Sequence, residues 1–268
     1  MSFECSLKAK IWSAVVNAMS GMRDDMAFKF RQDGLDVRQY DVSHTLAIQC
    51  VLPKEVWESY SPLKEEIVLS VREMAKYLKR LKGGDVVVLK GELEKESKLL
   101  MGIRGVHGYR RFGLPVLAPD EDTKDPAPIK KFVADVKAKV SVPALEEAIA
   151  DAESVVAGEK SKGATIGFFT IEARSKPERL VIWAAEEGTF RSSWYEFPSK
   201  VSLLDMECAG EKVRSMYGIS QIKPVLAAAG LSNIVKMEFA EDFPIRFSYQ
   251  LAFPGTLQFY IAPRVGGR

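Results

Sequence analysis

The segment LAPDEDTKDPAPIKK, Leu117 to Lys131, decides how the rest of the chain is read. It contains three prolines, Pro119, Pro126 and Pro128, and four acids, Asp120, Glu121, Asp122 and Asp125. Almost nothing in it can enter a core, so it reads as an extended, solvated connector. The order of elements is the same on both sides of it, the mark of an internal duplication. The expected organisation is two similar domains, residues 1–117 and 132–268, joined by a linker at 118–131.

Upstream, Phe3–Leu7 alternates as a strand, and Lys10–Met19 shifts to a helical period closed by Gly21. Asp25–Gln32 and Leu35–Tyr40 form a hairpin about Asp33-Gly34, and Leu46–Leu52 follows the loop 41–45. A short helix is expected at Lys54–Tyr60, then a strand at Glu66–Val71. Ser70-x-x-Glu73 is a capping-box signature for a helix over Arg72–Lys82 that Gly83-Gly84 stops. Strands at Asp85–Glu92, Leu99–Arg104 and Gly108–Val116 complete a second β-α-β-β-β unit.

Downstream the pattern restarts. A strand at Ala134–Val140 leads through Ser141, an N-cap, and Pro143 into a helix over Ala144–Val155 that lasts until Gly158. Strands are expected at Ala164–Ala173, Leu180–Ala185, Thr189–Phe197 and Val201–Ala209. Ser220 is expected to cap a helix that carries Pro224 and ends at Gly230, before strands at Val235–Phe239, Ile245–Gln250 and Thr256–Ala262. At one constant offset Val71, Leu78, Val86 and Val87 fall on Ile219, Leu226, Ile234 and Val235. Four copies of one unit, each with one helix among antiparallel strands, give an α+β protein whose helices share one face of the sheets.

Composition sets limits. The 268 residues are 47% hydrophobic and 28% charged, enough for two medium domains. No apolar run approaches the roughly 18 residues that span a bilayer, and Met1-Ser2-Phe3-Glu4 has no signal-peptide character, so no membrane association is expected. Cys5, Cys50 and Cys208 are isolated and read as free thiols in a reducing compartment. Asparagine occurs only at Asn17 and Asn233 beside plentiful Lys, Arg and Glu, a bias that leans towards a thermophile. The net charge of +2 excludes nothing by itself, so the distribution of charge decides.

Catalytic patterns are poor. His44 and His107 are the only histidines, and neither sits in an HExxH or Cys/His constellation. No phosphate-binding glycine loop is present, and Ser61-x-x-Lys64 lies in a proline-containing loop without companion motifs. Basic residues do cluster. Lys76, Lys79, Arg80 and Lys82 lie opposite the apolar Met74, Tyr77, Leu78 and Leu81, which predicts a positive stripe on the second helix. The third helix instead carries Glu146, Glu147, Asp151 and Glu153, which repel phosphate and suit a basic patch such as Arg110-Arg111. Ile129 beside Pro128, and Tyr260-Ile261-Ala262-Pro263, would make a peptide-sized pocket if both lie over Tyr40 and His44.

Three segments, Asp41-Val42-Ser43-His44, Glu73-Met74-Ala75-Lys76-Tyr77-Leu78-Lys79 and Leu257-Gln258-Phe259-Tyr260-Ile261-Ala262-Pro263-Arg264, resemble the DNA sliding clamp of archaea and eukaryotes, the proliferating cell nuclear antigen family. With the acidic linker between them, the resemblance spans essentially the whole chain. It implies the DNA clamp fold, a ring of three subunits around duplex DNA, identical or paralogous, with helices lining the hole and sheets outside. It further implies a tether without a catalytic step, cofactor or metal, holding DNA polymerase, flap endonuclease, DNA ligase and the clamp loader through short peptides. The location would be the cytoplasm of an archaeon or the nucleus of a eukaryote.

Carried over residue by residue, the resemblance places Lys76, Lys79, Arg80, Lys82, Lys10 and Lys223 towards DNA. It lines the peptide pocket with Tyr40, His44, Thr45, Ala47, Ile129, Pro244, Tyr260, Ile261, Ala262 and Pro263. It puts the edge strand of Tyr109, Arg110 and Arg111 against a neighbour's edge strand carrying Phe190, Ser192 and Trp194. Two departures stand out: Ser13, Ala14 and Ser20 occupy positions where the family often has lysine, and the third helix is acidic. The expectation is that Glu146, Glu147 and Asp151 face the neighbouring subunit and pair with Arg110 or Arg111. The near-neutral net charge fits either a ring of unlike subunits or a less acidic outer surface. A checkpoint-style assembly subunit and a metal-dependent nucleic-acid enzyme are the competing classes.

Overall fold

The computed structural model describes residues 3–62, 66–91, 98–119, 132–156, 160–161, 164–165, 167–186 and 188–264. The chain divides into two compact units, Met1–Ala127 with Leu251–Leu257 and Pro128–Gln250 with Gln258–Arg268. Most of the linker and Ile129 lie outside the described residues.

In the first unit the order is β1 (Phe3–Lys8), α1 (Ala9–Ser20), β2 (Asp25–Arg31), β3 (Gly34–Tyr40), β4 (Leu46–Pro53), β5 (Ser59–Ser61), β6 (Glu66–Ser70), α2 (Val71–Leu78), β7 (Val86–Gly91), β8 (Lys98–Gly105) and β9 (Gly108–Pro115). The strands run in two antiparallel sets, β5-β1-β7-β8-β9 and β4-β3-β2-β6. Helix α1 forms because Trp12, Val15, Val16 and Met19 recur on one buried stripe. Trp12 lies 5.8 Å from Phe28 and 6.1 Å from Trp57, ring centre to ring centre, and these rings fill the core. Helix α2 packs beside α1 and buries Val71, Met74 and Leu78.

The second unit repeats the plan: β10 (Val136–Ser141), α3 (Val142–Val156), β11 (Lys160–Ser161), β12 (Ala164–Thr165), β13 (Phe168–Ser175), β14 (Glu178–Ala185), β15 (Ser192–Glu196), β16 (Leu203–Cys208), β17 (Lys212–Gly218), α4 (Ile219–Leu226), β18 (Ile234–Phe239), β19 (Ile245–Tyr249) and β20 (Thr256–Ile261). Its sets are β16-β10-β18-β19-β20 and β15-β14-β13-β17. A shift of 133 residues carries Phe3–Lys8 onto Val136–Ser141, and a shift of 148 carries Val71–Leu78 onto Ile219–Leu226. The duplication read from four letter pairs therefore extends to whole elements.

Several expectations need correction. The helix expected at Lys54–Tyr60 is one 3-10 turn, Lys54–Val56, followed by β5. Ser59–Ser61 pair with β1 instead, and the Glu58 amide donates to the Ser6 carbonyl at 2.7 Å. Helix α2 stops at Leu78 rather than Lys82, and the amide of Lys82 donates to the buried Asp85 carboxylate at 3.0 Å. The strand expected over Ala164–Ala173 is split into β12 and β13. Strand β17 was hidden because only Val213, Ser215 and Tyr217 mark its inner face, and a buried serine weakens the alternation. Ser220 is not a cap: Gly218 holds that position without a side-chain bond, and Ser220 lies in the first turn. Gly158 lies outside the described residues.

Candidate functional site

The helical faces differ in charge. In the first unit Lys10 on α1 is exposed, as are Arg72 and Lys76 on α2 and Lys79, Arg80 and Lys82 in the turn after it. Ser70 accepts the Glu73 amide at 3.4 Å and starts α2 where its cations clear the core. Lys76 pairs with Glu73 along the helix, and this hydrogen bond holds the Glu73 carboxyl below its usual range. In the second unit α3 exposes Glu146, Glu147 and Asp151. Lys223 on α4 is exposed but pairs with Glu153 of α3 at 2.5 Å, so much of its charge is compensated locally.

Two of the sheet edges among the described residues lie beside these helices. Strand β9 pairs only with β8, and β15 only with β14. On β9 the Arg111 guanidinium lies 5.0 Å over the Tyr109 ring, and Phe112 stacks on Tyr77 of α2 at 4.3 Å. Arg110 turns to the other face, where it donates to Asp85 at 3.4 Å and to the Arg80 carbonyl at 3.3 Å. Arg80, Lys82, His107, Tyr109, Arg110 and Asp85 surround a cleft of about 490 Å³. Gly83, Gly105 and Gly108 leave its walls bare.

The other edge is acidic. Helix α3 packs against β14 and β15, and the Tyr195 hydroxyl donates to Glu147 at 3.0 Å. Burial, then this bond and the charge of Glu147, push the Tyr195 phenol up. Arg191 donates to the Ser154 carbonyl at the end of α3 and pairs with Glu186 at 3.3 Å. Phe190 is fully exposed and Trp194 is 54% exposed, while Ser192 opens the strand. Asp85 and Tyr195, which set the positions of Arg110 and Glu147, were not singled out from sequence. Both stand next to recognised features, the Gly83-Gly84 stop and the Trp194 edge.

The 41–45 loop is built around one carboxylate. Asp41 accepts the amides of Thr45 and Leu46, each at 2.8 Å, and a hydrogen bond from Ser43. His44 has a positive φ of 56°, and its ring stacks on Tyr40 with centres 5.3 Å apart. The loop thus presents an aromatic pair beside the half-buried Thr45, while Ala47 turns inward. In the second unit Tyr260 meets Phe132 edge-on at 5.9 Å, and Arg246 lies 4.3 Å over Phe132. Pro244, Ala262 and Pro263 are half-buried. Ile261 does not line an open surface: strand alternation in β20 sends Tyr260 outward and Ile261 fully into the core.

Among the described residues no helix is long and apolar enough to cross a membrane, and no group of three metal-ligating side chains converges. No protein-family model matches the sequence. The DNA polymerase sliding clamp of Pyrococcus furiosus is 28% identical over 268 residues, 99% of each chain. That of Thermococcus fumicolans is 29% identical over 259 residues, 96% of each. Among solved structures, PCNA from Thermococcus kodakaraensis matches with a TM-score of 0.81 and 26% identity, over 98% of this chain and all of that one. The PCNA2-PCNA3 complex of Sulfolobus tokodaii matches in fold, with a TM-score of 0.82 at 22% identity over 99% of this chain and all of that one. Duplicated units of two antiparallel sheets and two helices define a DNA clamp. Over its whole length the chain is similar to DNA polymerase sliding clamps and shares the fold of PCNA.

Proposed function

We propose that three copies of this chain close head to tail into a ring around duplex DNA and hold replication enzymes on it. The observation that carries the reading is self-complementarity. One chain bears a cationic cleft beside the open edge β9 and an acidic helix beside the open edge β15. Pairing β9 of one copy with β15 of the next would hide both edges and bring Glu146, Glu147 and Asp151 towards Arg110 or Arg111. Opposite charges in one chain favour identical neighbours, whereas a ring of unlike subunits needs no such match within one subunit.

In this ring Lys10, Lys76, Lys79, Arg80, Lys82 and Lys223 face the duplex. Long, mobile cations hold phosphates without reading bases, which permits sliding. The chain carries out no reaction; it raises the local concentration of its partners at the primer end. Polymerase, flap endonuclease, ligase and the clamp loader would dock by short peptides. Their contacts would be Tyr40, His44 and Thr45 in the first unit, Ile129 of the linker, and Pro244, Tyr260, Ala262 and Pro263 in the second. Residues 118–131 serve as the connector between domains 1–117 and 132–268, and the setting is the cytoplasm of an archaeon.

The experiment is a processivity assay on a singly primed circular template with a family polymerase. Added chain lengthens the products, and linearising the template with free ends abolishes the effect because a ring slides off. Equal stimulation on both templates would overturn the ring reading.

A further inference from the structure

The outward face of the second unit's four-stranded sheet, on β13, β14, β15 and β17, has a composition unlike a plain solvated surface. Register places Trp183 opposite Trp194 and Thr170, and Phe168 opposite Gly218. Three arginines lie on three aromatic rings there: Arg179 over Trp194 at 5.2 Å, Arg214 over Trp183 at 5.6 Å and Arg264 over Phe168 at 3.8 Å. The Arg264 amide donates to the Met216 carbonyl at 2.8 Å, which lays this C-terminal residue along the free side of β17.

The two carboxylates of the face are already engaged. Glu172 accepts from Arg174 at 2.8 Å and pairs with Lys212 at 3.1 Å, and Glu196 accepts from Arg179 at 2.8 Å. Burial opposes ionisation of Glu172, yet these two cations hold its carboxyl below the usual range. Arg214 and Arg264 are the guanidinium groups of the face left facing solvent from a ring without a carboxylate. A guanidinium stacked on a ring is held flat, and its donor edge stays free for an oxyanion. The indole nitrogen of Trp183 is itself buried and without an acceptor, so this residue offers the face its ring.

We propose that this face binds single-stranded nucleic acid, with Arg214 and Arg264 on successive phosphates and Trp183, Phe168 and Trp194 as a platform for bases. Cations alone would suit duplex equally, but a ridge of rings suits unstacked bases, which a duplex keeps inside. An acidic peptide would satisfy the arginines and leave the rings without a stacking partner. The face is separate from the helices assigned to duplex DNA; only Trp194 lies on the edge strand assigned to a neighbour, and Phe168, Trp183, Arg214 and Arg264 lie away from that edge on β13, β14, β17 and beside β17.

The test measures binding of a labelled 20-nucleotide oligo(dT) by anisotropy, with quenching of tryptophan emission as a second readout. Trp12 and Trp57 are buried in the first unit, so quenching reports Trp183 and Trp194. The double variant Arg214→Ser/Arg264→Ser should weaken binding about tenfold or more and lower the salt slope by about 1.4, at about 0.7 per phosphate. Lys76→Glu/Lys79→Glu should leave oligo(dT) quenching in place. Matching circular dichroism and melting profiles would show that the variants fold. Unchanged affinity in the arginine variant, or equal competition by duplex of the same length or by polyglutamate, would overturn the proposal.

Discussion

The helix pairs of the two units are built on one plan and carry opposite charge. The shift of 133 residues that superposes β1 on β10 sets Trp12 on Leu145, and both are fully buried. On their outer surfaces the pairs part company. The first exposes Lys10, Arg72, Lys76 and Lys79, and the second exposes Glu146, Glu147 and Asp151. Buried positions are constrained by packing, and outer positions are free to follow function. The fold can therefore be duplicated while one helix pair exposes cations and the other exposes carboxylates on α3.

The largest effect separates the cores. Trp12→Ala removes a ring packed between Phe28 and Trp57 and should cost about 3–5 kcal/mol, whereas Leu145→Ala should cost about 2–5. Denaturant unfolding followed separately in each unit checks this, and a smaller loss at Trp12 than at Leu145 would break the comparison.

Next come the charged faces. Reversing Glu147 and Asp151 to lysine should convert a ring into monomers at moderate salt. Reversing Lys76 and Lys79 should leave assembly intact while weakening duplex binding, with the salt slope falling by about 0.9 for each phosphate no longer neutralised. Gel filtration and duplex titration together distinguish the two, and a ring that survives the first reversal would refute the acidic edge as a subunit contact.

A smaller difference lies in the sheets. Glu238 on β18 is 4% exposed and bound by Lys236 at 2.9 Å and Arg246 at 2.7 Å. The shift of 148 places Lys90 at the matching point of β7, where it makes an exposed pair with Glu4 at 2.9 Å. Burial opposes the charge of Glu238, but hydrogen bonds from Lys236 and Arg246 hold its carboxyl below the usual range. Its folded value is depressed, so its stabilisation is present above the unfolded carboxyl value of about 4.3 and is lost as pH falls through the folded value. The melting temperature of Glu238→Gln should lie below that of the parent at pH 7 and converge with it in acid. Lys90→Ala should change little at either pH. The smallest contrast is at the helix starts, where the same shift sets the capping Ser70 on the uncapped Gly218: Ser70→Ala should cost about 1 kcal/mol, and Gly218→Ser should move stability by only a few tenths.

The sequence disclosed what packing dictates. Alternation and helical period located α1 through α4 and most strands, because the buried positions repeat with regular spacing. It failed where a local rule lost to a distant partner. Ser59–Ser61 became a strand because β1 offered an open edge, and β17 disappeared behind the polar Ser215. At the candidate site the charged residues were legible because they cluster in order. The groups that aim them were not. Asp85 and Tyr195 act through bonds to Arg110 and to Glu147, and no spacing records such contacts.

The most direct test of the self-complementary ring is the mass of the purified chain by light scattering across a concentration series. The account expects about three times 29.8 kDa, stable on dilution at low salt. A monomer at every concentration would contradict it and would assign the cleft at β9 and the acidic helix beside β15 to unlike partners.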